Sequence, residues 1–338
     1  MTTQLLANPD GSCLVTGACG FIGWKVCELL LQAGHAVVGV DNLNGAYDVR
    51  LKQWRLAQIG DHPQFTFRKL DVCDRPSLEG MFRDIAQGTA KPAAVINLAA
   101  RAGVRQSVRD PWAYLETNTT GTVNLLELCR EYEVGKFVLS SSSSVYGQEN
   151  PAPFREDANT DRPLSPYASS KKAAESLCHS YHYLHGLDVT VFRYFTVYGP
   201  AGRPDMLLFR LVKWISEGQR VTVYGDGKQS RDFSFVEDIA RGTIAGLRPL
   251  GYEVINLGSD RPVELLDALG LVEELTGKKA ELEFGASNPA DVSVTWADIG
   301  KARRILDWEP ETTFDAGILR VIEWYQSNRS WASTISTD

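Results

Sequence analysis

The sequence lacks several features that mark other classes of protein. No apolar run in its 338 residues approaches the roughly 18–20 residues that a membrane-spanning helix needs. The first residues, MTTQLLANPDG, contain no basic stretch followed by an apolar core, so no secretory signal is expected. The net charge of −7 argues against a nucleic-acid partner. We therefore expect a globular protein that acts away from membranes and nucleic acids.

Paired cysteines and metal-binding motifs are also missing. The six cysteines are scattered without paired spacing, which is typical of reduced, mostly buried thiols in a cytoplasmic protein. His179, His182 and His185 recur at short intervals, but no nearby set of acids or thiols accompanies them. We therefore expect no metal. Internal repeats and low-complexity segments are absent as well.

The sequence predicts a strand, a glycine-rich turn, a helix and a second strand within its first 42 residues. Residues 12–18 form a short apolar run, and the motif from Gly17 to Gly23 opens an amphipathic helix that ends near Gly34. A second apolar run follows at 36–42. Glycines at such a turn let backbone N–H groups and the helix N-terminus approach a pyrophosphate closely. The arrangement predicts a dinucleotide site.

A carboxylate stands at the tip of the second strand. Asp41 follows the glycines by about 20 residues, which is the spacing at which an acid accepts hydrogen bonds from the adenosine ribose. No Arg or Lys follows directly at 42–44, so a 2′-phosphate would meet the carboxylate without a counter-charge. We therefore predict NAD rather than NADP as the cofactor.

Strands and helices alternate through about the first 200 residues. Further strands are expected at 65–72, 93–100, 136–143 and 188–199, with helices near 75–87 and 111–134 and a third that contains Tyr167. This alternation predicts an α/β fold with a doubly wound parallel (Rossmann-type) sheet. Ligands of such sheets bind beyond the carboxyl ends of the strands. The following residues are expected there: Gly17, Asp41, Ala99, Ser142 and Thr196.

The remainder of the chain has a different character and predicts a smaller mixed α/β lobe that closes over the crevice. A strand at 252–259 is expected to rejoin the main sheet, and 263–328 should give three helical segments around a strand at 281–284. We assign the chain as follows: NAD-binding domain, 1–198 and 232–262; substrate lobe, 199–231 and 263–328; loose tail, 329–338.

Tyr167 and Lys171 are the central chemical pair. Four residues apart on one helix, they share a face, and an ammonium at that distance favours phenolate over phenol. The pKa of Tyr167 is therefore expected to fall below the ordinary value of about 10. The serine run 140–144 follows an apolar strand, either as a flexible turn or, as we expect, as a ligand-facing strand end that supplies a hydroxyl to the same substrate oxygen.

Several motifs together resemble a known family. TGACGFIG, the serine run, YASSK, RYFTVYGP and SRDFSFVEDI occur in the order seen in extended short-chain dehydrogenase/reductases that act on nucleotide sugars. Within that family, SSSSVYG, AARAGVRQS and RYFTVYGPAGRPDM are most similar to the UDP-glucuronic acid 4-epimerases. The resemblance extends over nearly the whole chain.

The resemblance implies roles for individual residues. The catalytic residues would be Ser142, Tyr167 and Lys171. The cofactor-binding residues would be Gly17, Gly20, Phe21, Ile22, Gly23, Asp41, Asn42, Asp71, Val72, Leu98, Ala99, Ala100, Asn118, Ser140, Tyr167, Lys171 and Tyr194. The substrate-binding residues would be Arg105, Ser142, Ser143, Ser144, Tyr167, Thr196, Arg203 and Arg231, with the two last arginines on the UDP diphosphate.

Positions at which this sequence differs from other branches of the family guide the choice of reaction. UDP-glucuronate decarboxylases carry glutamate at the position of Ser144, and sugar 4,6-dehydratases carry Asp-Glu at Ser143 and Ser144. Galactose-type epimerases carry asparagine at the position of Thr196. They also carry arginine at the position of Asn288, three residues before the counterpart of Asp291.

The resemblance implies an isomerase with tightly bound NAD that converts UDP-glucuronic acid to UDP-galacturonic acid through a 4-keto intermediate. UDP-glucose/UDP-galactose 4-epimerase, UDP-glucuronate decarboxylase and a net sugar dehydrogenase remain alternatives, as does a non-catalytic NAD-binding regulatory protein. The family is also typically homodimeric, which makes the helices near 111–134 and 165–186 candidates for an interface.

Overall fold

The structure is a computed structural model that describes residues 11–87, 92–286 and 292–337. Those residues form twelve strands and thirteen α-helices. The strands are β1 (Ser12–Thr16), β2 (Val37–Val40), β3 (Phe65–Arg68), β4 (Pro92–Asn97), β5 (Lys136–Ser142), β6 (Asp188–Tyr194), β7 (Thr196–Tyr198), β8 (Val221–Tyr224), β9 (Ser230–Phe235), β10 (Tyr252–Leu257), β11 (Pro262–Glu264) and β12 (Leu282–Gly285). The helices are α1 (Phe21–Gln32), α2 (Val49–Ile59), α3 (Arg75–Gln87), α4 (Val104–Arg109), α5 (Pro111–Tyr114), α6 (Gly121–Glu131), α7 (Pro166–His185), α8 (Leu207–Ser216), α9 (Val236–Ala245), α10 (Leu265–Thr276), α11 (Gly300–Leu306), α12 (Phe314–Ser327) and α13 (Arg329–Ala332).

Seven strands form one parallel sheet in the order β10-β6-β5-β4-β1-β2-β3. The chain starts in the middle at β1, runs outward to β3, and then crosses back to β4 and the other half of the sheet. The strand order reverses between β1 and β4, which opens a crevice at their carboxyl ends. The predicted doubly wound α/β class is confirmed, as is the return of the 252–259 strand, which pairs with β6 as β10.

The two faces of the sheet carry separate apolar layers because neighbouring side chains of a strand point to opposite sides. Val15 of β1 and Ile96 of β4 are buried in the layer covered by α1 and α9. Leu14 and Val95, their immediate neighbours, are buried in the layer covered by α3 and α6. The near-continuous apolar runs of the sequence follow from this two-sided burial.

The smaller lobe has its own sheets and its own core. β7, β9 and β11 form a three-stranded sheet, and β8 pairs with β12 in a parallel ribbon. Helices α8, α10 and α12 bury Leu211, Val272 and Ile322 in a third apolar cluster. The expected single strand at 188–199 is therefore two strands in two sheets, β6 and β7, which meet at Phe195.

Two expectations about helices need correction. The long helix expected near 111–134 consists of α5, a π-helical turn at Leu115–Thr120 and α6. The tail from 329, expected to be loose, instead contains α13, and Ile335 is fully buried because the tail packs back on α8.

The division into two domains stays a prediction. None of the helices in residues 11–87, 92–286 and 292–337 has both the length and the apolarity needed to cross a bilayer.

Candidate active site

A crevice of about 360 Å³ opens at the point where the strand order reverses. Its walls come from the glycine turn, the ends of β2, β4, β5 and β6, helix α7 and the segment after β7. The predicted site residues that line it are Gly17, Gly20, Phe21, Ile22, Gly23, Asp41, Asn42, Val72, Leu98, Ala99, Ala100, Ser140, Ser142, Ser143, Ser144, Tyr167, Lys171, Tyr194, Thr196 and Arg203. Four predicted residues do not line it: Asp71, Arg105, Asn118 and Arg231.

The glycine turn fits a dinucleotide. Gly17 has φ +67°, and a Cβ there would lie 2.8 Å from the backbone of Leu98 and Ala99. A Cβ on Gly23 would lie 2.0 Å from the Gly17 carbonyl oxygen. The turn therefore packs backbone against backbone and leaves the N-terminus of α1 open to the crevice, where its N–H groups can meet a pyrophosphate.

Asp41, the predicted partner of the adenosine ribose, lines the crevice near the glycine turn. Its carboxylate accepts hydrogen bonds from the backbone N–H groups of Cys19 (3.1 Å) and Leu43 (2.8 Å). Sequence reasoning missed Lys52, which lines the crevice and places its Nζ 3.3 Å from Asp41 Oδ1. The sequence feature that could have identified Lys52 was its basic side chain on the helix that follows β2. The two charges neutralise each other, and the carboxylate remains at the position expected of the ribose partner.

Two predicted cofactor residues instead hold the walls of the crevice. Asp71 accepts hydrogen bonds from Asn42 Nδ2 (2.7 Å) and from the Cys73 backbone (2.9 Å). Asn118, which lies in the π-helical turn and is almost fully buried, bonds both the N–H and the carbonyl of Arg101 and also donates to Ser170 Oγ at 2.9 Å. Each side chain holds a loop beside the crevice, and neither residue lines it.

Helix α7 carries the predicted catalytic pair. Ser165 caps its N-terminus by accepting from the Ala168 N–H, Pro166 fixes the first helical residue, and Gly186 ends the helix in the left-handed region. Tyr167 therefore lies in the first turn beside the crevice and Lys171 one turn further on. Lys171 Nζ donates to the Ser140 carbonyl oxygen at 2.8 Å, which brings α7 against the end of β5.

The acid–base properties of this pair differ from the sequence prediction. Burial raises the pKa of the Tyr167 phenol, although a hydrogen bond with Ser142 and the charge of Arg203 act in the opposite direction. The predicted fall caused by Lys171 is wrong for this structure, because its ammonium is directed at the Ser140 carbonyl. Burial also lowers the pKa of Lys171 to about 8, and the nearby carboxylate of Glu175 partly opposes that shift.

Hydroxyl groups surround the place beside Tyr167. Ser142 Oγ accepts from the Ser144 N–H and donates to Ser144 Oγ, both at 3.1 Å. Ser143 and Thr196 line the same part of the crevice. No carboxylate side chain lines this part of the crevice among the described residues. The end of β5 therefore presents neutral donors and acceptors to whatever lies next to the phenol.

The predicted arginines separate into two groups. Arg203 lines the crevice, is held by both oxygens of Asp205 (3.0 and 2.6 Å) and donates to the Ala102 carbonyl at 3.1 Å. Arg105 is exposed and stacks on the ring of Tyr224 in the smaller lobe, with its guanidinium carbon 4.7 Å from the ring centre. Arg231 donates to the carbonyls of Ser230 and Ser293, away from the crevice. Asn288 and Asp291 lie outside the described residues.

Other lining residues carry no sequence signal. Loops contribute Asn44, Tyr47 and Met206, and the junction between β6 and β7 contributes Phe195. Loop residues follow no periodicity, so their approach to the crevice depends on tertiary packing alone. Within the described ranges, no group of three His, Cys, Asp or Glu side chains could hold a metal ion.

A parallel sheet with this glycine turn, acid and Tyr–Lys pair defines a dinucleotide-dependent enzyme of the short-chain dehydrogenase/reductase type. The chain belongs to the NAD dependent epimerase/dehydratase family, whose model matches residues 13–258. This membership confirms the predicted family and its NAD cofactor.

Comparison with individual relatives gives a narrower class of similar proteins than the family does. The chain is 52% identical over 319 residues to a UDP-glucuronate 4-epimerase of Thermodesulfobacterium geofontis, covering 94% of this chain and 97% of the relative. A crystal structure of UDP-glucuronic acid 4-epimerase from Bacillus cereus, in complex with UDP-glucuronic acid and NAD, superposes with a TM-score of 0.87 at 36% identity, covering 94% and 99% of the two chains. The UDP-glucose 4-epimerase of Thermotoga maritima superposes with a TM-score of 0.86 at 30% identity, covering 94% and 99%.

Proposed function

We propose that this protein is a UDP-glucuronate 4-epimerase, an isomerase that inverts carbon 4 of UDP-glucuronic acid to give UDP-galacturonic acid. The observation that carries the proposal is the position of Ser142, Tyr167 and Lys171 at one crevice, with hydroxyl side chains where related enzymes use carboxylates. The 52% identity to a UDP-glucuronate 4-epimerase supports the choice of sugar.

In the proposed reaction, Tyr167 takes the proton of the sugar 4-hydroxyl, and Ser142 holds the same oxygen by a hydrogen bond. When bound, NAD would supply a positively charged ring that takes hydride from carbon 4 and gives it back to the other face once the 4-keto sugar has turned over. Tyr167 then returns its proton to the 4-oxygen. Because burial raises the pKa of Tyr167, the phenol needs positive charge beside it to act as a base near neutral pH. Arg203 supplies part of that charge, since it already acts to lower the pKa of Tyr167, and the nicotinamide ring of bound NAD would add to it. Lys171 is proposed to hold the end of β5, through the Ser140 carbonyl, in the position that places Ser142 beside the phenol.

The hydroxyls at Ser143, Ser144 and Thr196 suit a uronic acid. A 4-keto sugar with a carboxylate on carbon 5 is a β-keto acid, and it loses CO₂ when the breaking bond aligns with the ketone π system. Neutral donors can hold the carboxylate out of that alignment, whereas a glutamate would repel it. Arg203 is proposed to bind the UDP diphosphate. We leave Arg105 and Arg231 outside the first contacts with the sugar nucleotide because they lie away from the crevice.

The decisive experiment is incubation of the purified protein with UDP-glucuronic acid, without added NAD, followed by separation of the sugar nucleotides. We expect UDP-galacturonic acid without UDP-pentose. UDP-pentose as the main product would identify a decarboxylase, conversion of UDP-glucose alone would identify the galactose-type epimerase, and stoichiometric NADH would identify a dehydrogenase. No conversion, with NAD bound, would favour a regulatory protein.

A matched variant tests the carboxylate site. Ser144→Glu places a negative charge where the uronate is proposed to bind, so the KM for UDP-glucuronic acid should rise at least about tenfold. Ser144→Gln, which has the same size and no charge, should raise it much less. An unchanged KM in the glutamate variant would contradict the assignment.

Oligomeric state and location complete the proposal. We propose a homodimer whose interface includes α5 and α7, since Trp112, Tyr183 and Leu184 expose 77%, 81% and 67% of their surface. A cytoplasmic location is proposed because all six cysteines are free thiols and five of them are buried.

A further inference from the structure

Arg55 occupies an unusual place behind the crevice. This α2 residue is fully buried, yet among the described residues it forms no ion pair. Its hydrogen bonds go instead to backbone carbonyls and to one hydroxyl. A buried guanidinium ordinarily meets a carboxylate, because removal of a charge from water is costly unless another charge compensates it. The feature therefore needs an explanation beyond packing.

Its contacts join two segments that are far apart in the chain. Nη1 donates to the carbonyl of Cys19, inside the glycine turn, at 3.1 Å. Nε and Nη2 both donate to the carbonyl of Ala201, at 3.1 and 2.7 Å, and Nη2 reaches the carbonyl of Gly202 at 3.4 Å. One side chain thus ties the pyrophosphate turn to the segment that leads into Arg203.

That second segment is held in a strained conformation. Ala201 is fully buried with φ +52°, in the left-handed region that costs a residue with a Cβ free energy. The two hydrogen bonds from Arg55 converge on the carbonyl of this residue. Arg203, which lines the crevice, follows two positions later. The clamp on Ala201 therefore fixes the backbone from which Arg203 extends.

Aromatic side chains of the crevice wall complete the surroundings of Arg55. Its guanidinium carbon lies 5.7 Å from the ring centre of Phe21 and 5.5 Å from that of Tyr47, and Nη1 donates to the Tyr47 hydroxyl at 2.6 Å. Both aromatic residues line the crevice. Arg55 itself does not line the crevice, but these two contacts place its charge directly behind the wall. Because a buried cation is poorly screened, its charge favours the binding of anions on the other side of that wall.

We propose that Arg55 is a positioning residue that couples the binding of NAD to the binding of the UDP-sugar. The proposal rests on the proposed function in so far as both diphosphates occupy this crevice. Each ligand compensates the same buried charge and orders the segment at one end of the same clamp. By linkage, NAD then raises the affinity for UDP by the factor by which UDP raises the affinity for NAD.

The test measures the dissociation constant of UDP by calorimetry for NAD-free and NAD-loaded protein, in the wild type and in Arg55→Met. In the wild type, we expect NAD to tighten UDP binding at least about fivefold. In Arg55→Met the factor should fall to about one, the fraction of protein purified with NAD should drop, and KM should rise more than kcat falls. Arg50→Met, on the exposed side of the same helix, is the matched control and should retain the wild-type factor.

A second pair of variants distinguishes a loss of positioning by Arg55 from a loss of protein stability alone. Arg55→Lys keeps the charge but has no planar fork to span the Cys19 and Ala201 carbonyls, so it should also lose coupling. Adding Ala201→Gly removes the strain at that position, so Arg55→Lys/Ala201→Gly should regain part of the UDP affinity. Should Arg55→Met fail to fold, this pair decides the question by the same measurements.

The proposal is overturned if a folded Arg55 variant keeps the wild-type coupling factor, even at a lower melting temperature, or if NAD does not tighten UDP binding in the wild type. Since these measurements use UDP and not the uronic acid, a protein that couples NAD and UDP but does not epimerise UDP-glucuronic acid would contradict only the proposed function.

Discussion

At the scale of single residues, Lys171 illustrates a conflict between function and stability. Burial lowers its pKa to about 8, from 10.5 for an ordinary lysine. Below pH 8 the folded protein therefore carries the full cost of a buried charge. Between about pH 8 and 10.5 the unfolded chain still holds a proton that the folded protein releases, so stability from this group rises with pH.

We therefore predict that Lys171→Met is inactive but more stable than the wild type when both are free of NAD. The gain near pH 7 should be roughly 1–3 kcal/mol, since the relieved desolvation exceeds the lost hydrogen bond to Ser140. It should shrink towards about pH 10. Urea unfolding at both pH values measures it, with Lys172→Met as the control. A gain that does not depend on pH would show that titration of Lys171 is not its cause.

Asp41 and Lys52 allow a second prediction at this scale. Asp41→Ser removes the carboxylate that repels a 2′-phosphate and frees the Lys52 ammonium, 3.3 Å away, to bind it. The affinity of the NAD-free protein for NADP, relative to NAD, should rise at least about tenfold. Calorimetric titration of the NAD-free protein with NADP and with NAD measures the ratio. The gain should disappear in Asp41→Ser/Lys52→Met, and its persistence there would mean that Lys52 is not the phosphate partner.

At the scale of elements, a buried ion pair fixes α7 to the sheet. Arg193 of β6 donates to both carboxylate oxygens of Glu175 (3.0 and 2.9 Å), and Ser141 of β5 donates to one of them. Each charged side chain exposes 4% of its surface. This contact holds the helix that carries Tyr167 and Lys171 against two strands whose ends line the crevice.

Breaking the ion pair between Arg193 and Glu175 should destabilise the fold. Arg193→Met leaves the buried Glu175 carboxylate without the guanidinium that binds both of its oxygens, so it should reduce the free energy of unfolding by about 3–5 kcal/mol. Replacing both residues with Met should cost less than the two single changes together. Urea unfolding of the double-mutant cycle gives the coupling energy. Single changes that each cost under about 1 kcal/mol would contradict this account.

The elements of the first 200 residues were largely predictable, and the reason is physical. Strands buried on both faces are short apolar runs, and glycine and serine mark their ligand-facing ends, so Gly17 and Ser142 could be placed in one crevice from the sequence. The π-helical turn at Leu115–Thr120 and the burial of Ile335 were not predictable, because both depend on distant contacts. Lys52 could be recognised in the sequence only as a basic residue on the helix after β2, because its ion pair with Asp41 depends on the packing of α2.

At the scale of the whole molecule, the proposed dimer gives a further prediction. Leu184→Lys places a charge on the exposed end of α7 and should raise the dimer dissociation constant at least about a hundredfold. Sedimentation velocity would then show a monomer at concentrations where the wild type is a dimer. Leu319→Lys, on the exposed face of α12, should leave the dimer intact. A wild-type monomer, or a dimeric Leu184→Lys variant, would contradict the proposed interface.

The junction between β6 and β7 has a consequence for how substrate preference can change. Tyr194 pairs with Leu257 in the large sheet, and Thr196 pairs with Phe233 in the small one, with a single residue between them. Insertion or deletion of one residue there would reverse the side-chain faces of one strand relative to the other. The proposed sugar contact at position 196 can therefore be changed only by exchanging its side chain, because the pairing of β6 in one sheet and of β7 in the other holds the length of this stretch constant.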